Sequence, residues 1–332
     1  MFADTHLDAG PTEPLHLPGV SVVVPVFNSA ETLRELVDEV SQAMRRFGQA
    51  LEIILVNDGS VDGGWDRICE LVIENPVVRG FDLSRNFGQH NATLCGVRNA
   101  RFDVCVTMDD DLQHPPQEIP TLLKKLDEGW DVVYGRAKQH QHSWLRDWMA
   151  GFTKSVVGTA TGLRRVKEQS PFRALRTELR VAFSAYSGPD VLLDILLGWA
   201  TTRFTSVEVD HRPPRRGRRS RYTVKSLFDM GLLALTAYST RPLRFVSWLG
   251  FALTAFGVLV LGYVVVLALF FGSVPGFPFL ASLISIFSGT QLFTLGLFGE
   301  YLARIFNRAL GRPTYVVREV SEAKAGPTVM VK

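Results

Sequence analysis

Asp109-Asp110-Asp111-Leu112-Gln113 follows the apolar run 103–108 (DVCVTM) in a chain of 332 residues. Adjacent carboxylates at the end of an apolar strand repel one another and resist ionisation unless a cation offsets them. Mg²⁺ takes hard oxygen ligands and is commonly held by one or two carboxylates together with phosphate oxygens. In an extended chain Asp109, Asp111 and Gln113 project to one side and Asp110 to the other. That spacing suits a divalent metal carrying a diphosphate. An acidic loop or helix N-cap facing solvent would show the same three aspartates, so the rest of the chain has to decide. There is no Gly-x-x-x-x-Gly-Lys-Ser/Thr and no Gly-x-Gly-x-x-Gly, which counts against P-loop ATPases and dinucleotide dehydrogenases.

The elements that must position these residues are legible as alternating strands and helices. The continuous apolar, β-branched run 20–26 (VSVVVPV) reads as a buried strand, and 51–56 (LEIILV), 77–83, 103–108 and 131–134 as further strands. Between them, 30–47 has helical apolar spacing, and further helices are expected at 61–74, around 90–100 and near 117–126. This alternation predicts an α/β domain with a parallel sheet and right-handed crossovers. Such sheets bind ligands at the carboxyl ends of their strands. Those ends carry Pro25-Val-Phe-Asn28, Asn57-Asp58-Gly59-Ser60, Ser84-Arg85-Asn86-Phe87-Gly88-Gln89, Asp109–Gln113 and Gly135-Arg136. Singly each is a common turn; together they set acids, amides and arginines along one edge.

The charge is unevenly spread. Lys and Arg number 36 and Asp and Glu 33, giving a net charge of +3. Yet the 55 residues 245–299 contain no Asp, Glu, Lys, Arg or His. A bilayer core needs about 20 apolar residues per helix, and the run is interrupted at 272–278 (GSVPGFP), a turn signal. Two spans are expected, 245–271 and 279–299. Arg241 and Arg244 precede them, and Arg304, Arg308 and Arg312 follow. Basic flanks stay in the cytoplasm, which predicts a multi-pass protein of the cytoplasmic (inner) membrane with its main domain and both termini on the cytoplasmic face.

Residues 212–221 (RPPRRGRRSR) hold six arginines in ten positions. Such a run can be a solvated loop or bind nucleic acid, but its place before an amphipathic stretch (222–240) and the first span favours anionic lipid. The modest net charge argues against nucleic acid as a partner. Residues 143–157 pair Trp144, Leu145, Trp148, Met149, Phe152 and Val156 with Arg146, Asp147 and Lys154, as a helix at the headgroup layer would; an ordinary core helix is the alternative.

Taken together, these motifs resemble the family-2, GT-A-type glycosyltransferases, and more narrowly the polyprenyl-phosphate glycosyltransferases. The resemblance spans residues 18–318 and rests on VVVPVFN, VNDGSVD, LSRNFGQ, MDDDLQHPP, the Phe172-Arg173 pair, SRYT and two spans closing with GEYLARI. It implies a GT-A-like sheet, a nucleotide-sugar donor (UDP-, GDP- or dTDP-linked), Mg²⁺ or Mn²⁺, and a lipid-phosphate acceptor such as undecaprenyl or decaprenyl phosphate. Asp109, Asp111 and Gln113 would hold the metal on the donor diphosphate, with Asp109 and Asp111 catalytic. Pro25 and Asp58 would hold base and ribose, and Asn28, Arg85 and Asn86 would also contact the donor. Arg136, Arg146, Ser220 and Arg221 would receive the lipid phosphate. Inversion at the anomeric centre is implied, and homo-oligomers occur among relatives. A phosphate monoester is largely ionised at neutral pH, so this acceptor needs positioning more than a general base. A processive polysaccharide synthase or a catalytically degenerate nucleotide-sugar scaffold are the competing readings; the first usually has more spans and a Gln-x-x-Arg-Trp motif, which is absent.

The sequence departs from this pattern in places. Ser29 stands where many relatives have an acid, Asn57 replaces the first of a common Asp-Asp pair, and His114 follows Gln113 where Asp or Asn is usual. Residues 168–171 (EQSP) precede Phe172-Arg173 where many relatives carry an Asp and a Gly. Residues 217–220 have one extra residue against the usual Gly-x-Ser-Lys-Tyr. Cys69, Cys95 and Cys105 lack zinc spacing and are expected as reduced thiols. His90, His140, His142 and His211 show no ligand spacing. The expected layout is a disordered leader at 1–18, a GT-A-like domain at 19–211, a basic loop and juxtamembrane helix at 212–244, the hairpin at 245–299 and a cytoplasmic tail at 300–332.

Overall fold

A computed structural model describes residues 17–137, 169–188, 191–213, 241–271 and 276–323. The chain divides into two compact units, and the first contains one eight-stranded sheet in the order β7-β5-β6-β4-β1-β2-β3-β8. Its strands are β1 (Leu17–Val26), β2 (Leu51–Asn57), β3 (Val78–Leu83), β4 (Phe102–Thr107), β5 (Val132–Ala137), β6 (Arg173–Arg176), β7 (Phe204–Val209) and β8 (Val317–Glu322). β1 pairs in parallel with β2 and β4, β2 with β3, and β5 with β7; β6 and β8 run antiparallel to their neighbours. The mostly parallel α/β sheet expected from the alternation is present, with two antiparallel strands the alternation does not announce.

The continuous apolar strands are explained by cover on both faces. Val20, Val22, Val24 and Val26 of β1 enter one core cluster with Leu33, Leu36, Val37 and Val40 of α1 (Leu33–Phe47) and Ile68 of α2 (Gly64–Glu74). Val23 points to the opposite cluster, with Ala92, Leu94 and Val97 of α3 (Gln89–Arg98). A Cβ at Gly96 would collide with the side chain of Val23, so the missing side chain lets α3 lie directly on β1. α4 (Ile119–Asp127) buries Leu122, Leu123 and Leu126 on the first face, and α5 (Leu193–Ala200) buries Leu193, Leu196 and Leu197 on the second.

The order β4-β1-β2-β3 reverses direction between β1 and β4. At such a switch point, beyond the carboxyl ends of the two strands, ligands of open α/β sheets bind. β1 ends at Val26 and β4 at Thr107, so the loops 27–32 and 108–115 meet there.

The second unit contains α6 (Arg241–Phe271) and α7 (Phe277–Ala309), with the Phe287 ring against Gly257. Among the described residues one stretch, Leu243–Val266, is long and apolar enough to cross a membrane by the hydropathy criterion applied. The two expected spans are thus both helical but only one passes that test. The expected boundaries change at both ends of the chain. Strand β1 begins at Leu17, inside the expected leader. The expected tail at 300–332 contains the last turns of α7 and strand β8, which is held because Val320 and Ser321 pair with Phe81 and Gly80 along the open edge of β3. The expected helix at 143–157 and the amphipathic stretch 222–240 lie outside the described residues.

Candidate active site

The acidic loop is built by turning, not by the pleat of a strand. β4 stops at Thr107, and Leu112 adopts a left-handed φ of 59° with its side chain buried. Asp110 faces away from its neighbours, as expected, but the cause is a lock on β1. Its carboxylate accepts from Phe27 N at 3.1 Å and from Ser29 Oγ, and its carbonyl accepts from Thr32 Oγ1 at 3.0 Å. Ser29 therefore supplies the donor that an acid at this position could not. With Asp110 held inward, Asp109 and Asp111 are left to the switch point. Asp111 accepts from Gln113 N at 3.1 Å and from the Gln113 amide, so the structure brings these two expected ligands together. Asp109 accepts from Gln89 Nε2 at the start of α3.

This arrangement leaves negative charge poorly compensated. Burial, then the charges of Asp111 and Asp110, push the Asp109 carboxyl up to about 7, against the opposing pull of Arg173 and Gln89. A divalent cation would relieve that repulsion. Two carboxylates and an amide carbonyl are hard oxygen donors that fit Mg²⁺ or Mn²⁺ when phosphate oxygens complete the shell. Among the described residues no group of three or more His, Cys, Asp or Glu could hold a metal alone. The residues fit a metal shared with a bound diphosphate.

Two neighbouring loops are stitched to this one. Asn28, at φ 53°, donates its N–H to Ser60 Oγ at 3.0 Å and accepts from Val61 N at 2.9 Å, while Asp62 accepts from Ala30 N at 2.9 Å. A non-glycine residue held in this region is a strained conformation of the kind that clusters at functional sites. Asp58 is buried and accepts from Phe87 N at 2.7 Å and Gly88 N at 2.9 Å, tying β2 to the loop before α3. Burial raises its pKa against those two backbone donors. Gly59 fits twice over: its φ is +69°, and a Cβ there would stand 2.7 Å from Asn86 N. Arg85 and Asn86 are consequently held beside Gly59 with exposed side chains, and the Arg85 guanidinium lies 4.3 Å from the Phe87 ring centre. Pro25 is buried inside β1, in register with Val56.

Of the expected acceptor residues, one lies among the described residues. Arg136 in β5 is exposed, with Glu208 at 3.6 Å. Arg146, Ser220 and Arg221 lie outside the described residues.

Several residues near the site were given no role from sequence. Arg173, placed by β6 opposite Thr107, donates to Thr107 Oγ1 at 3.2 Å and pairs with half-buried Asp194 of α5. Tyr134 donates to the same carboxylate at 2.8 Å. His114 stacks on Phe172 with ring centres 5.2 Å apart and meets the edge of His211 at 5.0 Å. Burial, with His211 adding to it, lowers its pKa to about 4, and among the described residues its Nδ1 has no hydrogen-bond partner. The Phe172-Arg173 pair and the departure at His114 were visible in the sequence, but not these contacts, which depend on neighbours distant in the chain.

Residues 21–182, which carry the end of β1, β2 to β6 and all three stitched loops, match the glycosyl transferase family 2 model. The chain is also 34% identical over 309 residues to undecaprenyl-phosphate 4-deoxy-4-formamido-L-arabinose transferase of Proteus mirabilis (strain HI4320), covering 92% of this chain and 94% of that one. The chain belongs to glycosyltransferase family 2. A Shewanella sediminis (strain HAW-EB3) protein with the same description is 34% identical over 318 residues, covering 93% of this family 2 glycosyltransferase and 95% of its own length. Among solved structures, glucosyl-3-phosphoglycerate synthase from Mycobacterium tuberculosis in complex with Mn²⁺ and UDP-glucose is 19% identical, with a TM-score of 0.47 over 66% of this chain and 77% of that one. The relatives' coverage extends past the family match, through β7, α6 and α7 towards the C-terminus.

Proposed function

We propose that this family 2 glycosyltransferase moves a sugar from a nucleotide sugar to a polyprenyl phosphate, with inversion, at the cytoplasmic face of a membrane spanned by α6 and α7. The observation that carries the reading is the division of labour in the acidic loop. Asp110 is spent on β1, which leaves Asp109, Asp111 and Gln113 at the switch point for a metal-bound diphosphate. The names of the relatives, which span almost the whole chain, support undecaprenyl phosphate as the acceptor class. Mg²⁺ or Mn²⁺, when bound, would stabilise the charge that develops on the departing nucleoside diphosphate.

The chain's own residues supply the positioning. Asp58 and Asn28 fix the loops that would surround the nucleoside, with Pro25 beneath. Arg85 and Asn86 project from the rim beside Gly59 and would contact the donor. Arg136, Arg146, Ser220 and Arg221 are proposed to receive the lipid phosphate. An acceptor already anionic at neutral pH needs no proton removed, so the reaction is governed by alignment and charge compensation. The uncharged run 245–299 supports a two-span hairpin, and its basic flanks support a cytoplasmic domain.

The test is a donor screen: UDP-, GDP- and dTDP-sugars with polyprenyl phosphate and Mg²⁺ or Mn²⁺, with the glycolipid identified by mass spectrometry. One donor giving a polyprenyl-phosphate sugar is the expected result. Donor binding without any lipid product would defeat the acceptor assignment.

A further inference from the structure

Of the six arginines in 212–221, the first behaves unlike a ligand in waiting. Arg212 sends NH1 to Glu39 Oε1 and NH2 to Glu39 Oε2, both at 2.9 Å, and NH2 also reaches Gln117 Oε1 at 3.2 Å. Gln117 closes the ring by donating to Glu39 Oε2 at 3.1 Å. The parallel fork is the geometry in which a guanidinium and a carboxylate bind most specifically. A phosphate arriving at Arg212 would have to displace that carboxylate, with Glu35 adding further negative potential nearby.

Residues 210–212 are tied to the acidic loop and to the turn that follows it. Asp210 N donates to Glu118 Oε1 at 3.4 Å, the His211 ring meets His114, and Arg212 N donates to Gln113 O at 2.8 Å. The last bond falls on the very residue expected to share the metal. The next two residues in the sequence are prolines, the residue type whose ring removes φ freedom. The remaining five arginines, at 215, 216, 218, 219 and 221, all lie within nine residues of this tie.

We propose that Arg212, through Glu39, is a positioning residue that fixes the origin of the basic segment at the metal loop, and is not itself a ligand of the lipid phosphate. The proposal rests on the acceptor reading given above. Releasing the anchor leaves the donor loops intact but unties residues 210–213, from which the basic run departs. A misplacement of about 1 Å is enough to cost on the order of 10- to 100-fold in transfer.

The experiment is a charge-reversal cycle in the full-length membrane enzyme: Arg212→Glu, Glu39→Arg and the double variant, with Arg212→Lys alongside. Sugar transfer is measured against polyprenyl-phosphate concentration, and nucleoside diphosphate affinity with Mn²⁺ is measured separately. Each single reversal is expected to lower kcat/KM for the lipid on the order of 10-fold while nucleotide affinity stays within about 2-fold; the double variant recovers most of the loss, and Arg212→Lys, which keeps charge but not the fork, falls between. Arg34→Gln, which breaks the exposed pair with Glu74 on the same helix, is the structural control and should leave transfer unchanged. Failure of the double variant to recover, or a loss for Arg212→Glu with none for Glu39→Arg, overturns the anchor and makes Arg212 a direct ligand. Parallel loss of nucleotide affinity also overturns it, as general damage to the loop. Wild-type enzyme that binds nucleotide but transfers nothing to the lipid defeats the acceptor reading, and the anchor with it.

Discussion

The two ends of the central sheet treat buried charge in opposite ways. At the amino end, Glu52 accepts from Ser21 Oγ at 2.6 Å and Arg79 NH1 at 2.9 Å, and Arg79 also reaches Glu322 at 3.2 Å. Arg101 adds a second cation to Glu322 at 2.7 Å. Burial pushes the Glu322 carboxyl up, but the two arginines outweigh it and hold it below the usual range. At the carboxyl end, Asp109 is pushed the other way by burial and by two like charges. One end is closed by its own counter-ions and holds strands together. The other is left short of positive charge at the point where the strand order reverses, and that deficit is what a metal-bound substrate can fill.

Breaking the two ends should therefore have separable consequences. The largest effect expected is from Asp111→Ala: transfer falls by at least about 1,000-fold, while the thermal unfolding midpoint moves little and membrane insertion is unchanged. Near-normal turnover would remove Asp111 from the metal. At the other end, Arg79→Met leaves Glu52 buried without its cation and should cost about 3 kcal/mol of stability, read in urea unfolding of the detergent-solubilised protein. Transfer per folded molecule should be unaltered; a matching loss of specific activity would mean the two ends are not independent.

Two smaller effects sharpen the contrast through pH. His114, lowered to about 4, stays neutral in the fold while an unfolded histidine protonates near 6.5. Stability should thus be full above about pH 6.5 and be lost as pH falls toward 4, by roughly 3 kcal/mol. His114→Phe should flatten that loss in an unfolding series from pH 7 to 4, and an unchanged slope would assign the acid sensitivity elsewhere. For Asp109, raised to about 7, protons compete with a cation below that value. Mn²⁺ affinity, measured by paramagnetic resonance, should weaken by up to about tenfold per pH unit below 7, and Asp109→Asn should bind weakly with no such dependence.

Much of this was legible before the fold was known, for physical reasons that differ by element. β1 is buried on both faces, so it appears as an unbroken apolar run, and β2 to β5 keep enough apolar residues to be read as strands although β2 carries Glu52 and β3 carries Arg79 and Asp82. β6 does not: its four residues, Arg173–Arg176, include two arginines, and Arg173 is tolerated inside only because Asp194, far along the chain, meets it. β8 reads as a polar tail because an edge strand needs few apolar contacts, and Arg318 and Glu319 face Asp82 and Trp65 instead. In the site, residue type exposed Asp109, Asp111 and Gln113. The separate task of Asp110 was anticipated from strand alternation, but the turn at Leu112 and the hydroxyl of Ser29 produce it. Gln89, Glu39 and Asp194 acquire meaning only from what folds against them.

The position of β8 bears on the order in which the molecule can be made. The sheet's last strand follows two helices of 31 and 33 residues in the chain. A growing chain that has completed β1 to β7 still exposes the unpaired N–H and C=O groups of β3, a template for adhesion to other strands. That edge is capped only after both long helices have been synthesised. Translation thus delivers the sheet unfinished, and its final seam closes last, behind the two long helices.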